Sequence, residues 1–393
     1  MFKGQHVFSQ ITDHLPLHTF RRCVERYHGE WYVKQFRCFD QYLAMSFAQL
    51  THRESLRDIE ACLKAQSSKL YHMGLRSSIS RSTLADANEQ RDWRIYADFA
   101  QALIKIARPL YAGDELGLDL KNTVYALDAS TIDLCFSVFP WALFRSTKSA
   151  VKLHTLLDLR GNIPSFIHIS EGKLHDVNAL DMIIPEAGSF YVMDRAYLDF
   201  ERLFSLNNSG AFFVIRSKNN ILFKRRYSSP VEKTNGIRCD QTIRLTGLNT
   251  KNKYPKPLRR VKYHDNETNK TLNLLTNNEI IPAQTVADLY RYRWKVELFF
   301  KWIKQHLHIR TFFGTSENAL KSQIWIAISV YVLIAIIKKQ LKIKAELYTI
   351  LQVLSLTLFE KIPLEQLLGN SHYMEHTREN AIQLNLFDNL TGH

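Results

Sequence analysis

The amino-acid sequence predicts an α/β protein with a helical front part, and three features of its 393 residues carry that reading. Residues 1–118 repeat apolar positions at helical spacing. From Thr123 onward, short β-branched and apolar runs alternate with helical ones, the pattern of a mixed sheet with helices packed on it. A turn-rich block at 219–283 interrupts that alternation and carries 13 lysines and arginines against 5 acids, a net +8. Together these give a mixed five-stranded sheet with flanking helices, an inserted β-rich subdomain and a helical N-terminal domain.

In the front part, Leu15-Pro16-Leu17 opens a helical run with Phe20, Val24 and Tyr27 on one face. Phe36–Leu50 presents Phe39, Leu43, Phe47 and Leu50, and Ser55–Leu63 turns Leu56, Ile59 and Leu63 inward. Arg76–Asn88 sets arginines and hydroxyls before a helix entry, with Ser82 or Thr83 as N-cap. The same segment could instead offer amides and cations to DNA phosphates. Trp93–Leu110 completes the helices, and Pro109 with Gly113–Gly117 marks a linker.

Val124–Leu134, Lys152–Leu159 and Ile163–Ser170 are the first three strands, an antiparallel meander by their short turns. Asp176–Ile184 reads as a short helix capped by Asp176, and Phe190–Met193 as a fourth strand running into Asp194. Leu198–Leu206 is helical and Ala211–Ser217 is the fifth strand. The basic block holds strand-like pieces at Ile221–Tyr227, Gln241–Leu245, Arg259–Tyr263 and Thr271–Leu275. Its clusters Lys224-Arg225-Arg226 and Arg259-Arg260 favour a DNA-contacting platform over a solvated excursion. Tyr290–Lys304 is a helix, Ser316 caps a long apolar helix to about Lys339, and Ala345–Phe359 follows. The expected units are 1–118, helical; 119–218, the sheet domain's first part; 219–283, the insertion; 284–340, its second part; and 341–393, a helical region and polar tail.

A net charge of +14 favours a polyanionic partner, nucleic acid first. Five cysteines without CxxC spacing fit the reduced thiols of a cytoplasmic protein better than disulfides or a zinc site. Met1–Asp13 has no apolar signal core, and the run Ile324–Ile337 falls short of the ~20 residues that span a bilayer. No membrane partner is expected. P-loop, GxGxxG and HExxH patterns are missing, which removes nucleotide hydrolysis and zinc proteolysis.

Asp128 stands in the interior of the first strand, where an aspartate is depleted and costly to bury unpaired. Asp194 follows directly on the apolar fourth strand. If those strands are neighbours, the two carboxylates face each other and repel unless a cation lies between them. In the Tyr290–Lys304 helix, Tyr290, Arg293, Glu297 and Lys304 project from one face with Lys301 beside them. Three acids suit two Mg²⁺ or Mn²⁺ ions, which take hard oxygen ligands and serve phosphoryl displacement. The plainer alternatives are a turn-bonded Asp128, an Asp194 that caps the next loop, and a solvated Glu297–Lys301 pair. His175-Asp176 is read as a cap and not a general base; Asp133 faces away from Asp128 along a regular strand.

Asp128, Asp194 and the pattern Tyr290-x2-Arg293-x3-Glu297-x6-Lys304 resemble the DDE transposases of bacterial insertion sequences, specifically the IS-four family. The resemblance spans most of the chain, including the basic β insertion between the second and third acids. It departs in Arg195-Ala196-Tyr197, where many relatives have glycine. It implies an RNase H-like fold, two divalent ions held by Asp128, Asp194 and Glu297, and cut-and-paste transposition. Water nicks the element's end, the freed 3′-OH forms a hairpin, and after opening it attacks target DNA. Arg293 and Lys304 neutralise phosphates, Tyr290 hydrogen-bonds one, and Lys301, Arg225, Arg226, Arg259 and Arg260 add DNA contacts. Residues 1–118 would bind the terminal inverted repeats, with a homodimer in the synaptic complex. Gln383-Leu384-Asn385-Leu386-Phe387 looks like a peptide that docks on the replication sliding clamp; Gln383, Leu384, Leu386 and Phe387 would be its anchors. A catalytically silent DNA-binding descendant and a metal-dependent nuclease remain the alternatives.

Overall fold

The computed structural model describes residues 4–218, 220–306 and 312–369, apart from the side chains of Thr234, Gln305 and His306. The clamp-peptide candidate, Gln383 to Phe387, lies outside the described residues. The chain divides into two compact units, one from Met1–Leu103 with Trp325–His393 and the other Ile104–Ile324.

The first unit is helical. Its centre is the Cys38–Leu50 helix, buried on nearly every side even though it carries Asp40, Gln41, Ser46 and Gln49; Gln41 Nε2 donates to Asn88 Oδ1 (2.7 Å). The Val7–Thr12 helix is tied to the C-terminal segment: Val7 N–H donates to Glu360 O (2.9 Å) and Gln10 Nε2 to Ile362 O (2.8 Å). The cap of the Arg81–Gln90 helix is Ser80, which accepts from Thr83 N–H (3.2 Å); the expected caps Ser82 and Thr83 lie inside the first turn. Pro109 sits within the Arg94–Tyr111 helix and not in a linker, because a proline in the last turn removes one terminal hydrogen bond at most.

The second unit is built on one sheet. Its strands are β1 Val124–Leu134, β2 Leu143–Arg145, β3 Lys148–Asp158, β4 Ile163–Glu171 and β5 Phe190–Met193. They continue with β6 Phe212–Arg216, β7 Phe223–Ser229, β8 Ile237–Leu245, β9 Leu258–Asp265 and β10 Lys270–Thr276. The order is β2-β3-β1-β5-β6-β10-β9-β8-β7, with β4 on β3. The five expected strands are therefore half of a ten-stranded mixed sheet, and the basic block is not a separate subdomain. Strand β10 returns antiparallel onto β6 with Leu275 opposite Ile215, so β7 to β10 extend the same sheet. Pairing between segments so distant in sequence leaves no local trace.

Within this sheet β1, β5 and β6 run parallel, with Leu127 opposite Met193 and Met193 opposite Ile215. One face carries a core of Leu127, Leu156, Met193, Tyr197, Leu203, Phe213 and neighbours. The expected helix after β4 is a 3-10 segment, Asp176–Met182, whose cap position is His175. Asp176 caps nothing; it accepts Lys152 Nζ at 2.9 Å. The Glu317–Gln340 helix is long and apolar enough to cross a bilayer, but 94% of its apolar window is buried within the protein.

Candidate active site at the parallel strand ends

The parallel register puts Asp128 and Asp194 side by side, one residue beyond the Leu127–Met193 pair, and Arg216 next beyond Ile215. Strand β5 ends at Met193, whereas β1 runs on to Leu134 in antiparallel pairing with β3, so Asp128 lies mid-strand at the point where its parallel neighbour leaves it. Asp128 Oδ1 accepts the N–H of Ala129 (2.9 Å). Asp194 starts the Arg195–Tyr197 turn, and its carbonyl accepts Tyr197 N–H (3.0 Å).

The third acid arrives on a broken helix. The expected continuous helix Tyr290–Lys304 is two helices, Ala283–Tyr292 and Trp294–His306, with Arg293 at the junction. Val286, Leu289 and Tyr290 bury one side of the first helix, and Val296, Phe299, Phe300 and Ile303 one side of the second. That packing leaves Glu297 outermost, its side chain 55% exposed.

Arg293 ties the acids together. Its Nη1 donates to Asp128 Oδ2 (2.8 Å) and its Nη2 to Glu297 Oε1 (2.6 Å). Tyr290 O–H donates to Asp194 Oδ1 (3.1 Å), and the Arg293 guanidinium lies 5.7 Å from the Tyr290 ring centroid. The structure thus brings Asp128, Asp194, Glu297, Tyr290 and Arg293 into one site. The Arg293 side chain is only 17% exposed, and its Nε is buried with no hydrogen-bond partner.

Burial pushes the Asp128 carboxyl up to about 6, against the pull of Arg293 and the Ala129 N–H; Glu297 and Asp194 push it the same way. Burial also pushes Tyr290 up to about 12. Burial opposes the charge on Arg293, and Asp128, Tyr290 and Glu297 more than restore it, so the guanidinium stays protonated. The donors are three carboxylates, the hard oxygen set that Mg²⁺ or Mn²⁺ takes, so the residues fit those ions. As the side chains stand, no three His, Cys, Asp or Glu groups among the described residues are close enough to hold one. The reason is visible: a guanidinium lies between two of the acids.

The other expected residues are placed as follows. Lys304 and Lys301 are exposed, and Lys304 lies within electrostatic reach of Asp133. Arg225 and Arg226 are exposed on β7, the edge strand. Arg259 is a correction. It is buried, with Nε and Nη2 on the two oxygens of Asp240 (2.8 and 2.7 Å) and Nη1 on Ile281 O (2.6 Å), so none of its donors faces a phosphate. Arg260 is half-buried, donating to Gln241 Oε1 (3.0 Å) and Asn273 Oδ1 (2.8 Å) with its guanidinium 5.2 Å from the Phe223 ring centroid.

Three residues were not singled out from the sequence. Arg216 acts on the Tyr290 phenol, and the signal that finds Asp194, a charge directly after an apolar strand, finds it too. Tyr197 is wholly buried with its hydroxyl unpartnered, close enough for Asp128, Asp176 and Asp194 to raise it beyond the effect of burial. Thr155, opposite Asp128 on β3, also has a buried, unpartnered hydroxyl. No sequence pattern marks either of these.

The fold and site define a mixed α/β protein with a cation-braced acidic site where β5 ends beside β1. The family described as "Transposase DDE domain" matches residues 119–333, more than half of the chain. A "Domain of unknown function (DUF4372)" matches residues 3–76. A protein of Sinorhizobium fredii named as transposase y4zB is 31% identical over 285 residues, 71% of this chain and 77% of that one. A Geobacillus stearothermophilus protein named as a transposase for insertion sequence element IS5377 is 32% identical over 218 residues, 55% of this chain and 57% of its own length. A Synechocystis protein named as a transposase for element IS4SA is 25% identical over 267 residues, 66% of this chain and 72% of its own. The chain belongs to the DDE transposase domain family.

Proposed function

We propose that the protein is an insertion-sequence transposase of the IS-four type, with an RNase H-like catalytic unit, that cuts and pastes DNA using Asp128, Asp194 and Glu297. The observation that carries this reading is the convergence of all three acids on two side chains, Arg293 and Tyr290, where the parallel pairing of β1 and β5 ends. No charge-neutral structural role needs three carboxylates drawn to one guanidinium and one phenol.

Asp128, Asp194 and Glu297 would hold two Mg²⁺ or Mn²⁺ ions. When bound, such ions activate the attacking oxygen and stabilise the leaving one. Arg293 and Lys304 pair with phosphates flanking the scissile bond, and Tyr290 hydrogen-bonds one of them. Water nicks the element's end; the freed 3′-OH cleaves the second strand through a hairpin and then attacks target DNA. Arg225, Arg226 and Lys301 contact the DNA backbone, and residues 1–118 bind the terminal inverted repeats. The protein works as a homodimer in the synaptic complex, beside the bacterial nucleoid, and the sliding clamp is a further partner through Gln383 to Phe387.

The test is Asp128→Asn and Glu297→Gln, assayed on DNA carrying the element's terminal repeats with Mg²⁺. Each variant binds the DNA normally and loses cleavage by roughly 10²–10³-fold or more, the scale for removing one preorganised electrostatic group. Retained cleavage with normal binding discards the assignment. Cleavage by the wild-type protein without joining of the 3′ end to target DNA reassigns it as a nuclease.

A further inference from the structure

We infer that Arg293 competes with the divalent ions for Asp128 and Glu297, so that DNA has to draw this guanidinium away before the acids take metal. The inference rests on the proposed role of those acids and adds an order of binding to it. Both terminal nitrogens of Arg293 are spent on carboxylate oxygens, at 2.8 Å to Asp128 and 2.6 Å to Glu297. Both Asp128 oxygens are already engaged, Oδ1 by the Ala129 N–H and Oδ2 by Arg293. A guanidinium in that position and a divalent ion compete for the same carboxylates and repel each other.

Three observations say that Arg293 can leave. It makes single-point bonds to two acids, without the parallel two-bond fork that fixes an arginine on one carboxylate. Its Nε is buried and unpartnered, so the present position leaves a donor unsatisfied that a phosphate could satisfy. Its backbone is the one-residue junction between the Ala283–Tyr292 and Trp294–His306 helices, helical in its dihedrals but bonded three residues away, to Tyr290 O (3.2 Å) and from Val296 N–H (3.1 Å), a local irregularity in the ladder that holds it. The buried Arg259 has the reverse of all three: a fork on Asp240, its Nε satisfied, and a place inside strand β9.

A DNA phosphate is the natural rival for the guanidinium, because it accepts a two-bond fork and brings its own charge. DNA binding and metal binding then favour each other, as linkage requires of two events that both displace one group. Exposed Glu297, the weaker holder at 55% exposure, releases first.

The experiment titrates the full chain with Mn²⁺ alone, read by calorimetry or the electron-spin signal of free Mn²⁺, with and without a duplex carrying the element's end. Wild-type protein binds Mn²⁺ about tenfold more tightly once the duplex is present. Arg293→Gln binds Mn²⁺ about tenfold more tightly than wild type without DNA, and the duplex adds little. Arg293→Lys keeps a cation there and behaves as wild type, which separates lost charge from a damaged fold. If Arg293→Gln gains no Mn²⁺ affinity, or if the duplex improves wild type and Arg293→Gln equally, the competition is overturned. Asp128→Asn separates this from the parent reading. Mn²⁺ affinity undiminished by Asp128→Asn places the ions elsewhere and overturns the reading of the acids itself, whereas affinity lost in Asp128→Asn but not gained in Arg293→Gln overturns only the competition.

Discussion

Two arginine–carboxylate pairs in the same sheet unit are built to opposite specifications. Asp240 and Arg259 sit on neighbouring strands β8 and β9, joined by a two-bond fork, with the remaining guanidinium nitrogen on the carbonyls of Ile281 and Asn278. Both side chains are about nine-tenths buried, and every guanidinium nitrogen is bonded. Asp128 and Arg293 share one bond, Arg293 is divided between two acids, and its Nε has no partner. The first pair is satisfied and closed, so it fixes how the strands meet. The second is incomplete and open to solvent through Glu297, which suits a site that trades partners. Leaving a buried donor without a partner costs stability, and a ligand that satisfies it recovers that cost.

Removing one partner of each pair is the strongest way to break the comparison. Asp240→Ala leaves Arg259 buried and unpaired and costs about 3–5 kcal/mol of stability, measured by urea unfolding. The double change Asp240→Leu with Arg259→Met returns most of it. Asp128→Asn changes stability by less than about 1 kcal/mol at pH 7 while abolishing cleavage. An Asp240→Ala variant as stable as wild type would erase the distinction.

A second carboxyl sharpens the comparison through pH. Asp158, buried at the end of β3, is pushed up to about 6 by burial, against the Arg160 N–H and the Arg108 charge. A carboxyl raised by folding gives stability that is fully present below its unfolded value, near 4, and lost as the pH rises through 6. Asp158→Asn therefore gains about 1–3 kcal/mol over wild type at pH 8, and the gain vanishes at pH 3.5. Equal unfolding free energies at pH 8 would show that Arg108 and Arg160 offset the burial. The smallest effect belongs to exposed cations: Arg225→Ala and Arg226→Ala each leave stability within about 0.5 kcal/mol and reduce the salt dependence of DNA binding by ~0.9 in slope. An unchanged slope removes β7 from the DNA interface.

Much of the site is visible in the sequence for a physical reason. Asp128 and Asp194 interrupt or end apolar strands, and a charge there asks for an explanation whatever the fold. Tyr290, Arg293 and Glu297 show themselves by helical spacing, although their helix breaks at Arg293, which spacing cannot reveal. Arg259 misled because an arginine beside another in a basic segment looks like surface. Its partner Asp240 lies across a strand pair whose register no local pattern gives. Tyr197 and Thr155 stayed hidden since only burial without a partner makes them unusual.

The sequence by itself determined most of the strands and helices, where the acids fall on them, and that a basic chain of this kind favours a polyanion. Those properties follow from local periodicity and composition, which every short segment carries within itself. The tertiary structure alone decided that the basic block continues the sheet that carries Asp128, that Arg259 is an internal strut, and that Arg293 stands between Asp128 and Glu297. Each of these depends on contacts between segments far apart in the chain, and such contacts are set by the packing of the whole unit.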